Sequence, residues 1–206
     1  MSMLLSALVA DFKASLNDAK DSFRAPADAD FVRLLKVAAV DMQAKRPITK
    51  PGSVGLFPFQ PRYAVTAGDF AALKTHMWAD PAITPKPWAP DYPGPAPRVA
   101  AQWDGVAWWL EFSTAPTPRQ IFVWGDEFRF WYFGQHVLSE APGGTTVNPA
   151  DRGLLLLRAQ SEAMRELALR NVNKPQQMRD GYTSMPRNGT PSALFSVLMS
   201  EFREAR

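Results

Sequence analysis

The residue types that most often carry catalysis and metal binding are scarce in this sequence. Its 206 residues include no cysteine and only two histidines. The lack of cysteine excludes disulfides, thiol nucleophiles and cysteine-ligated zinc or iron–sulfur centres. With imidazole available only from His76 and His136, a multi-histidine metal site is not expected either. The sequence therefore predicts neither a metal nor another cofactor.

The two histidines and a few carboxylates are the candidates for acid–base chemistry. His76 lies in DFAALKTHMW and His136 ends an aromatic run. For both, we favour a partly buried ring that is hydrogen-bonded to backbone over a catalytic role. Glu111 with Asp126 or Glu127 could form the carboxylate pair of a glycoside hydrolase. These three acids fall at predicted turns and sheet faces, where solvated charges are expected.

Motifs of familiar enzyme classes are also missing from the sequence. It contains no GxxxxGK[ST], GxSxG or HExxH. The run Gly143-Gly144-Thr145-Thr146 resembles a phosphate-binding loop, but it lacks the lysine and is interpreted as a flexible loop before a helix. We therefore expect a protein that is not an enzyme.

Composition is that of an ordinary globular chain. Apolar residues make up 46% and charged residues 21%, and the formal net charge is only +3. No apolar run approaches the roughly 20 residues that a transmembrane helix needs, so no membrane partner is expected. The N-terminal MSMLLSALVADFK has no basic segment, and Asp11 and Lys13 interrupt it. It is interpreted as an amphipathic helix of an intracellular protein rather than as an export signal.

Hydrophobic periodicity predicts two helices at each end of the chain. The first spans about 4–16, with Leu4, Leu8, Phe12 and Leu16 on one face. The second begins near Asp28 or Asp30 and ends before Pro47. Its predicted buried face consists of Phe31, Leu34, Leu35, Ala38 and Met42.

The two C-terminal helices are predicted from the same kind of start signal. Asn148-Pro149 and Thr190-Pro191 each place an N-cap residue before a proline at the first helical position. The third helix continues to about Val172, and the fourth has its apolar face at Leu194, Phe195, Leu198, Met199 and Phe202.

Between these pairs, from 47 to 150, proline becomes frequent. Proline disfavours long helices and is typical of short strands joined by extended loops. The stretch 81–97 is predicted to cross the surface, because proline cannot donate to a strand ladder. The predicted class is α+β, a four-helix frame with an inserted small antiparallel sheet domain. The predicted divisions are 1–47, 48–144 and 145–206, with a basic arm at 173–189.

Five of the seven tryptophans fall between 99 and 133, and the sequence predicts two hairpins there. Asp104-Gly105 is a strong turn signal, and a two-residue turn would pair Trp103 with Val106, Ala101 with Trp108 and Val99 with Leu110. Gly125-Asp126 predicts the second turn. The predicted core of the sheet domain is Val99, Trp103, Trp108, Leu110, Ile121, Val123, Phe128 and Phe130. Trp109, Trp124 and Trp131 are expected on the second face.

Three passages resemble the head–tail connector, or adaptor, proteins of tailed bacteriophages and gene transfer agents. They are ADFVRLLKVAAVDMQAKRP at 29–47, TTVNPADRGLLLLRAQSEAMRELALR at 145–170 and GTPSALFSVLMSEFREA at 189–205. The order of parts is similar to the family over essentially the whole chain. The insertion 48–144 looks like a larger version of one that some members carry. These passages are packing patterns and not catalytic motifs.

The resemblance implies a structural virion protein of the neck, between capsid and tail, made in the cytoplasm of the host bacterium. Such adaptors form a ring of identical subunits, usually twelvefold, that docks on the portal protein. The ring extends the channel for genomic DNA, without sequence recognition, and offers a surface to the stopper or tail-completion protein. We expect the C-terminal part to meet the portal and the insertion to face outward or towards the tail.

Two sets of interface residues follow as hypotheses. The segment 170–187 carries four basic residues and one acid, and the resemblance assigns it to the portal. The portal-interface candidates are Arg170, Lys174, Arg179, Tyr182, Met185 and Arg187. The apolar faces of the first and last helices could supply more surface than one subunit needs. The subunit-interface candidates are Leu4, Leu8, Phe12, Phe195, Met199 and Phe202.

Other functions stay open on the sequence alone. A stopper or tail-completion protein would share the same neighbours as an adaptor. A carbohydrate-binding β module would use Trp88, Trp109 or Trp131 as an exposed platform, although polar residues around these rings are sparse. An enzyme is the weakest alternative, because no compact acid–base or metal constellation occurs.

Overall fold

The computed structural model describes residues 3–79, 84–170 and 190–205, and the chain divides into two compact units. The helical unit consists of Met1–Arg46 and His136–Arg206, and the β unit is Pro47–Gln135. The described helices are α1 (Leu5–Leu16), α2 (Ala29–Lys45), α3 (Pro118–Trp124), α4 (Arg152–Arg170) and α5 (Pro191–Glu204). The strands are β1 (Ile48–Gly55), β2 (Arg62–Ala64), β3 (Phe70–Met77), β4 (Arg98–Trp103), β5 (Trp108–Ser113) and β6 (Glu127–Gly134). The chain is therefore α+β, as predicted.

The helical unit has one apolar core, to which α1, α2, α4 and α5 all contribute. The rings of Phe12 and Phe31 meet edge to face, with centroids 5.8 Å apart. All five residues predicted for the buried face of α2 are buried. Leu138 and Val147 also lie in this core, so the segment that returns from the β unit packs with the helices.

The predicted starts of the last two helices are confirmed. Oδ1 of Asn148 accepts a hydrogen bond from the backbone N–H of Ala150 at 2.9 Å, and a short 3₁₀ turn at Pro149–Asp151 continues into α4. Oγ1 of Thr190 accepts from the N–H of Ala193 at 3.3 Å. Each side chain satisfies a backbone donor that the first turn of a helix leaves unpaired.

The β unit contains two antiparallel three-stranded sheets among the described residues, with strand orders β1-β6-β3 and β2-β5-β4. Aromatic rings from both sheets form a common core. Phe112 on β5 and Phe128 on β6 meet with centroids 4.9 Å apart. The concentration of aromatic residues between 99 and 133 is therefore explained largely by this core.

The first predicted hairpin exists, but its register differs by two residues. Trp103 pairs with Trp108, Ala101 with Leu110 and Val99 with Phe112. Oδ1 of Asp104 accepts from the N–H groups of Val106 and Ala107 at 2.9 and 2.8 Å, which holds a four-residue loop in place of a two-residue turn. Since side chains alternate with a period of two, the shift leaves each residue on its predicted face.

The second predicted hairpin is wrong. Residues Pro118–Trp124 form α3 in place of the first strand of this hairpin, and β6 follows Gly125. Thr117 and Gln120 make a capping box: Oγ1 of Thr117 accepts from Gln120 N–H at 3.2 Å, and Oε1 of Gln120 accepts from Thr117 N–H at 2.9 Å. Proline at the first helical position completes a start signal that outweighs the alternating rings.

The predicted β-domain core is only partly buried. Leu110, Phe128 and Phe130 are buried. Val99, Trp108, Ile121 and Val123 are half-buried against the same cluster, the last two from a helix rather than a strand. Trp103 is 55% exposed, because it closes the hairpin at the end of β4 beyond the edge of the core.

Candidate interaction surfaces

His76 on β3 lies in an apolar setting. Its ring centroid is 5.1 Å from that of Phe128, and its Nδ1 is buried without a hydrogen-bond partner among the described residues. Burial lowers the pKa of His76 below its ordinary value. The prediction of a backbone partner is wrong for this histidine, and among the described residues no second acid–base group is hydrogen-bonded to it.

His136 has the structural role that the sequence favoured. Its Nε2 lies 2.7 Å from the carbonyl oxygen of Arg46, and its Nδ1 lies 3.3 Å from Oγ1 of Thr146. With Nε2–H donating to the carbonyl, Nδ1 is left as the acceptor. The ring therefore joins the end of α2 to the loop that precedes α4.

Of the other groups considered for chemistry, Glu127 and Thr145 are engaged in local hydrogen bonds. Oε2 of Glu127 accepts from Arg129 at 2.7 Å, and Glu111 lies across from Arg62 in the other sheet. Oγ1 of Thr145 accepts from the N–H of Ser139 at 3.0 Å. Within the described residues, no group of three or more acidic or histidine side chains could hold a metal ion.

Three predicted subunit-interface residues belong to the core of the chain itself. Leu8, Phe12 and Phe202 are buried, so they have almost no surface to offer another subunit. Phe195 is half-buried against the same core, and Leu4 and Met199 are also half-buried. The periodic apolar faces of α1 and α5 stabilise the helical unit, because four short helices need them to form a core.

Arg170, at the end of α4, is engaged within the helical unit. Its guanidinium donates to Oε1 of Glu166 and to the carbonyl of Ser22, both at 2.5 Å, and it stacks over the ring of Phe23 at 5.0 Å. The other portal-interface candidates, Lys174, Arg179, Tyr182, Met185 and Arg187, lie outside the described residues, as does the basic arm.

Four aromatic side chains of the β unit are strongly exposed and define what we call the aromatic surface. They are Phe57, Phe59, Trp88 and Phe122, with exposed fractions between 64% and 89%. Single exposed apolar residues are common on protein surfaces, whereas several exposed aromatic rings on connected segments are typical of a binding surface. The first two lie between β1 and β2, Trp88 lies in the proline-rich crossing, and Phe122 lies on α3.

Hydrogen bonds tie the other two segments to α3 or to the residues just before it. The N–H of Phe59 donates to the carbonyl of Pro116 at 2.8 Å. Nε2 of Gln120 donates to the carbonyl of Pro95 at 2.9 Å, and the guanidinium of Arg119 donates to the carbonyl of Pro90. The rings of the aromatic surface therefore project from a braced backbone.

The polar side chains of α3 are used in this bracing. Because Arg119 and Gln120 donate to backbone carbonyls of the crossing, these donors are engaged and not free for sugar hydroxyls. Of the proposed platform tryptophans, Trp109 donates from Nε1 to Asp104 at 2.6 Å and lies 4.5 Å below the guanidinium of Arg62. The arrangement favours contact with apolar groups of another protein.

Of the aromatic surface, sequence reasoning named only Trp88 as a candidate exposed ring, and it missed Phe57, Phe59 and Phe122. The signal that could have revealed Phe122 is Thr117-Pro118 followed by Gln120, which predicts a helix start. On a helix, Phe122 falls on the side opposite Gln120 and Trp124, which are buried.

Comparisons with known proteins give little further information. No protein-family model matches the chain, and no curated protein matches it. Among solved structures, the chain is similar to a chain of "Neck of empty GTA particle computed with C6 symmetry", with 16% identity and a TM-score of 0.30 over 96% of this chain and 92% of that chain. At this TM-score the likeness is weak, and neither fold nor function follows from it. Among the described residues, no helix is long and apolar enough to cross a bilayer.

Proposed function

We propose that this chain is a structural protein of a phage-type neck, an adaptor that docks on the portal as a ring, extends the DNA channel and joins head to tail. The three helical passages that resemble adaptors support this proposal, since they form the packed frame of the helical unit. The observation that carries it furthest is the aromatic surface, which is exposed and braced in the manner of a docking site for protein.

In this proposal each subunit binds the stopper and the portal through two separate sets of residues. The aromatic surface binds the stopper or tail-completion protein, because apolar rings on a fixed backbone lose little conformational entropy on binding. The basic residues Lys174, Arg179 and Arg187 contact the portal. Each subunit would thus bridge two neighbours of the neck without a cofactor and without bond-breaking chemistry.

The proposal is tested with full-length protein, cognate portal rings and cognate stopper protein. We expect electron microscopy to show a ring of this protein added directly to the portal, and the stopper to bind only after that ring is present. The double variant Phe59→Ser/Phe122→Ser keeps portal binding and loses stopper binding. The control is Val106→Ser, which removes an equally exposed apolar side chain from the hairpin tip of the same unit.

Three outcomes would overturn the adaptor role. Binding only to a portal that already carries another ring would make the chain a stopper. Failure to bind portal or any portal complex would exclude the neck role for this chain. A shift in tryptophan fluorescence on titration with oligosaccharides, lost in Trp88→Ala, would make the β unit a carbohydrate-binding module.

A further inference from the structure

The solvent side of α2 carries apolar residues that no part of the described chain covers. Its buried residues lie on one side of the helix, and a stripe on the opposite side consists of Ala29, Arg33, Lys36, Val37 and Val40. Val40 is 64% exposed, and the stripe helps to line a shallow groove of about 420 Å³. We call it the α2 stripe. Val37 and Val40 lie on the side opposite the core, so only another surface could bury them further.

A second uncovered stripe runs along α5. Phe195, Leu198 and Phe202 face the helical core, whereas Leu194, Val197, Glu201 and Glu204 are exposed. At 3.6 residues per turn, these four residues share an arc of about 80°. We call them the α5 stripe. Arg203 lies about 140° around the helix from it, so the charge of the stripe is wholly acidic.

The two stripes are complementary in charge and in order. Along α2 the basic residues come first and the valines follow, whereas along α5 the apolar residues come first and the acids follow. In an antiparallel pairing, one register brings all the matching pairs opposite each other, because both helices rise about 1.5 Å per residue. These pairs are Arg33 with Glu204, Lys36 with Glu201 and Val40 with Val197.

The charges in the middle of each stripe are available for such a contact. Among the residues that the structure describes, neither the ammonium of Lys36 nor the carboxylate of Glu201 has a hydrogen-bond or ion-pair partner. Arg33 already pairs with Glu166 and Asp30, and the carboxylate of Glu204 accepts from the hydroxyl of Ser200. The pair Lys36 and Glu201 would therefore supply the principal ionic contact of the register.

We propose that the α2 stripe of one copy of this chain packs antiparallel against the α5 stripe of a second copy. Because the two faces differ, the contact is heterologous and leaves each end of a pair free to bind a further copy. Two α2 stripes together would bring basic residues and valines against each other, and the stripe itself contains no acidic residue to pair with Lys36. Closure of the repeat into a ring rests on the proposed function, whereas the pairwise contact does not.

The absence of cysteine from the chain allows a direct test by engineered disulfides. Val40→Cys and Val197→Cys are prepared as separate full-length variants, and each is oxidised alone and in a 1:1 mixture, with and without portal rings. We expect covalent dimers in the mixture and about tenfold fewer with either variant alone. The double variant Val40→Cys/Val197→Cys should give a ladder of multimers. A mixture of Val40→Cys with Val106→Cys, an exposed position in the β unit, measures random collision.

Charge reversal supplies the second readout. Lys36→Glu on the Val40→Cys variant should reduce dimer yield about tenfold, and Glu201→Lys on its Val197→Cys partner should restore it. Dimers from Val40→Cys alone at the yield of the mixture would overturn the proposal in favour of a symmetric contact. A yield no higher than the Val106→Cys control, with portal binding intact, would overturn this interface and leave the proposed function standing. Cross-linking in solution by a protein that does not bind portal would support this interface and overturn the proposed function.

Discussion

Arg158 and Glu162 lie one turn apart on α4 and bury their opposite charges against each other, with Nη1 of Arg158 3.1 Å from Oε2 of Glu162. Both side chains are less than a tenth exposed. Nε of Arg158 also donates to Asp41 on α2 at 2.7 Å, and Arg165 donates to the other oxygen of Glu162 at 2.8 Å. The network joins α2 to α4, and its burial is tolerated because every charge in it is paired.

Glu162→Gln should destabilise the helical unit markedly. The substitution keeps the shape of the side chain but leaves Arg158 with a partly uncompensated charge in a buried position, which lowers the free energy of unfolding by about 3 kcal/mol. Arg33→Gln is the control, since Arg33 is half exposed and its ion pair with Glu166 also joins α2 to α4. That change should cost at most about 1 kcal/mol. Urea denaturation measures both, and equal losses would contradict the assigned importance of burial.

Gly52→Ala should disrupt the sheet that contains β1. A Cβ at this position would lie 2.6 Å from the ring of Phe130 on β6, and that ring is buried in the aromatic core. We expect a loss of about 1–3 kcal/mol in the free energy of unfolding, because the ring has little room to move. Gly55→Ala in the same strand meets nothing within 4 Å and should be neutral. Loss of stability in Gly55→Ala alone would reverse this interpretation.

Local start signals predicted the helices better than the alternation of rings predicted the strands. Asn148-Pro149 and Thr190-Pro191 gave correct helix starts. The same signal at Thr117-Pro118 also starts a helix, although the alternating aromatic residues that follow it had suggested a strand. The side chains of Thr117 and Gln120 accept hydrogen bonds from each other's backbone N–H groups, and these local bonds favour a helix at this point. The register of the β4–β5 hairpin could not be predicted from its turn signal. It depends on which N–H groups the carboxylate of Asp104 accepts from.

The candidate surfaces were less predictable than the fold. Periodicity identifies an apolar face but not what covers it, and so Leu8, Phe12 and Phe202 were assigned to an interface although the chain itself buries them. The exposed residues Val40 and Phe122 carry no periodic signal of their own. Their exposure follows only from the packing of the opposite side of each helix.

Asp69→Asn should weaken the sheet β1-β6-β3 at neutral pH. Its carboxylate accepts from Nζ of Lys50 on β1 at 2.6 Å and from the hydroxyl of Tyr132 on β6 at 3.0 Å. Burial alone would raise the pKa of Asp69, but these hydrogen bonds outweigh it and the pKa lies below its ordinary value. The substitution should lower the free energy of unfolding by about 1–3 kcal/mol at pH 7.

The pH dependence of the Asp69 contribution has a defined sign. A carboxyl group with a lowered folded-state pKa contributes stability above the pKa of the unfolded chain, and this is lost as pH falls through the folded value. The difference between wild type and Asp69→Asn should therefore shrink as the pH is lowered from about 5 towards 3. Asp91→Asn, an exposed carboxylate of the same unit, should follow the wild type. If the difference in free energy of unfolding between wild type and Asp69→Asn stays constant with pH, the charge of Asp69 does not stabilise the sheet.

His76 should make the β unit sensitive to mild acid. Because burial lowers its pKa, the folded protein holds the ring neutral while the unfolded chain takes up a proton near pH 6.5. Stability is then complete above that value and falls as the pH drops towards the lower folded pKa, by at most about 1.4 kcal/mol per pH unit. His76→Phe keeps a ring beside Phe128 and removes the titration, so its unfolding free energy should vary less between about pH 7.5 and 5.5. Denaturant unfolding measures this at several pH values. If the free energy of unfolding changes with pH equally in the two proteins, the buried Nδ1 does not control acid stability.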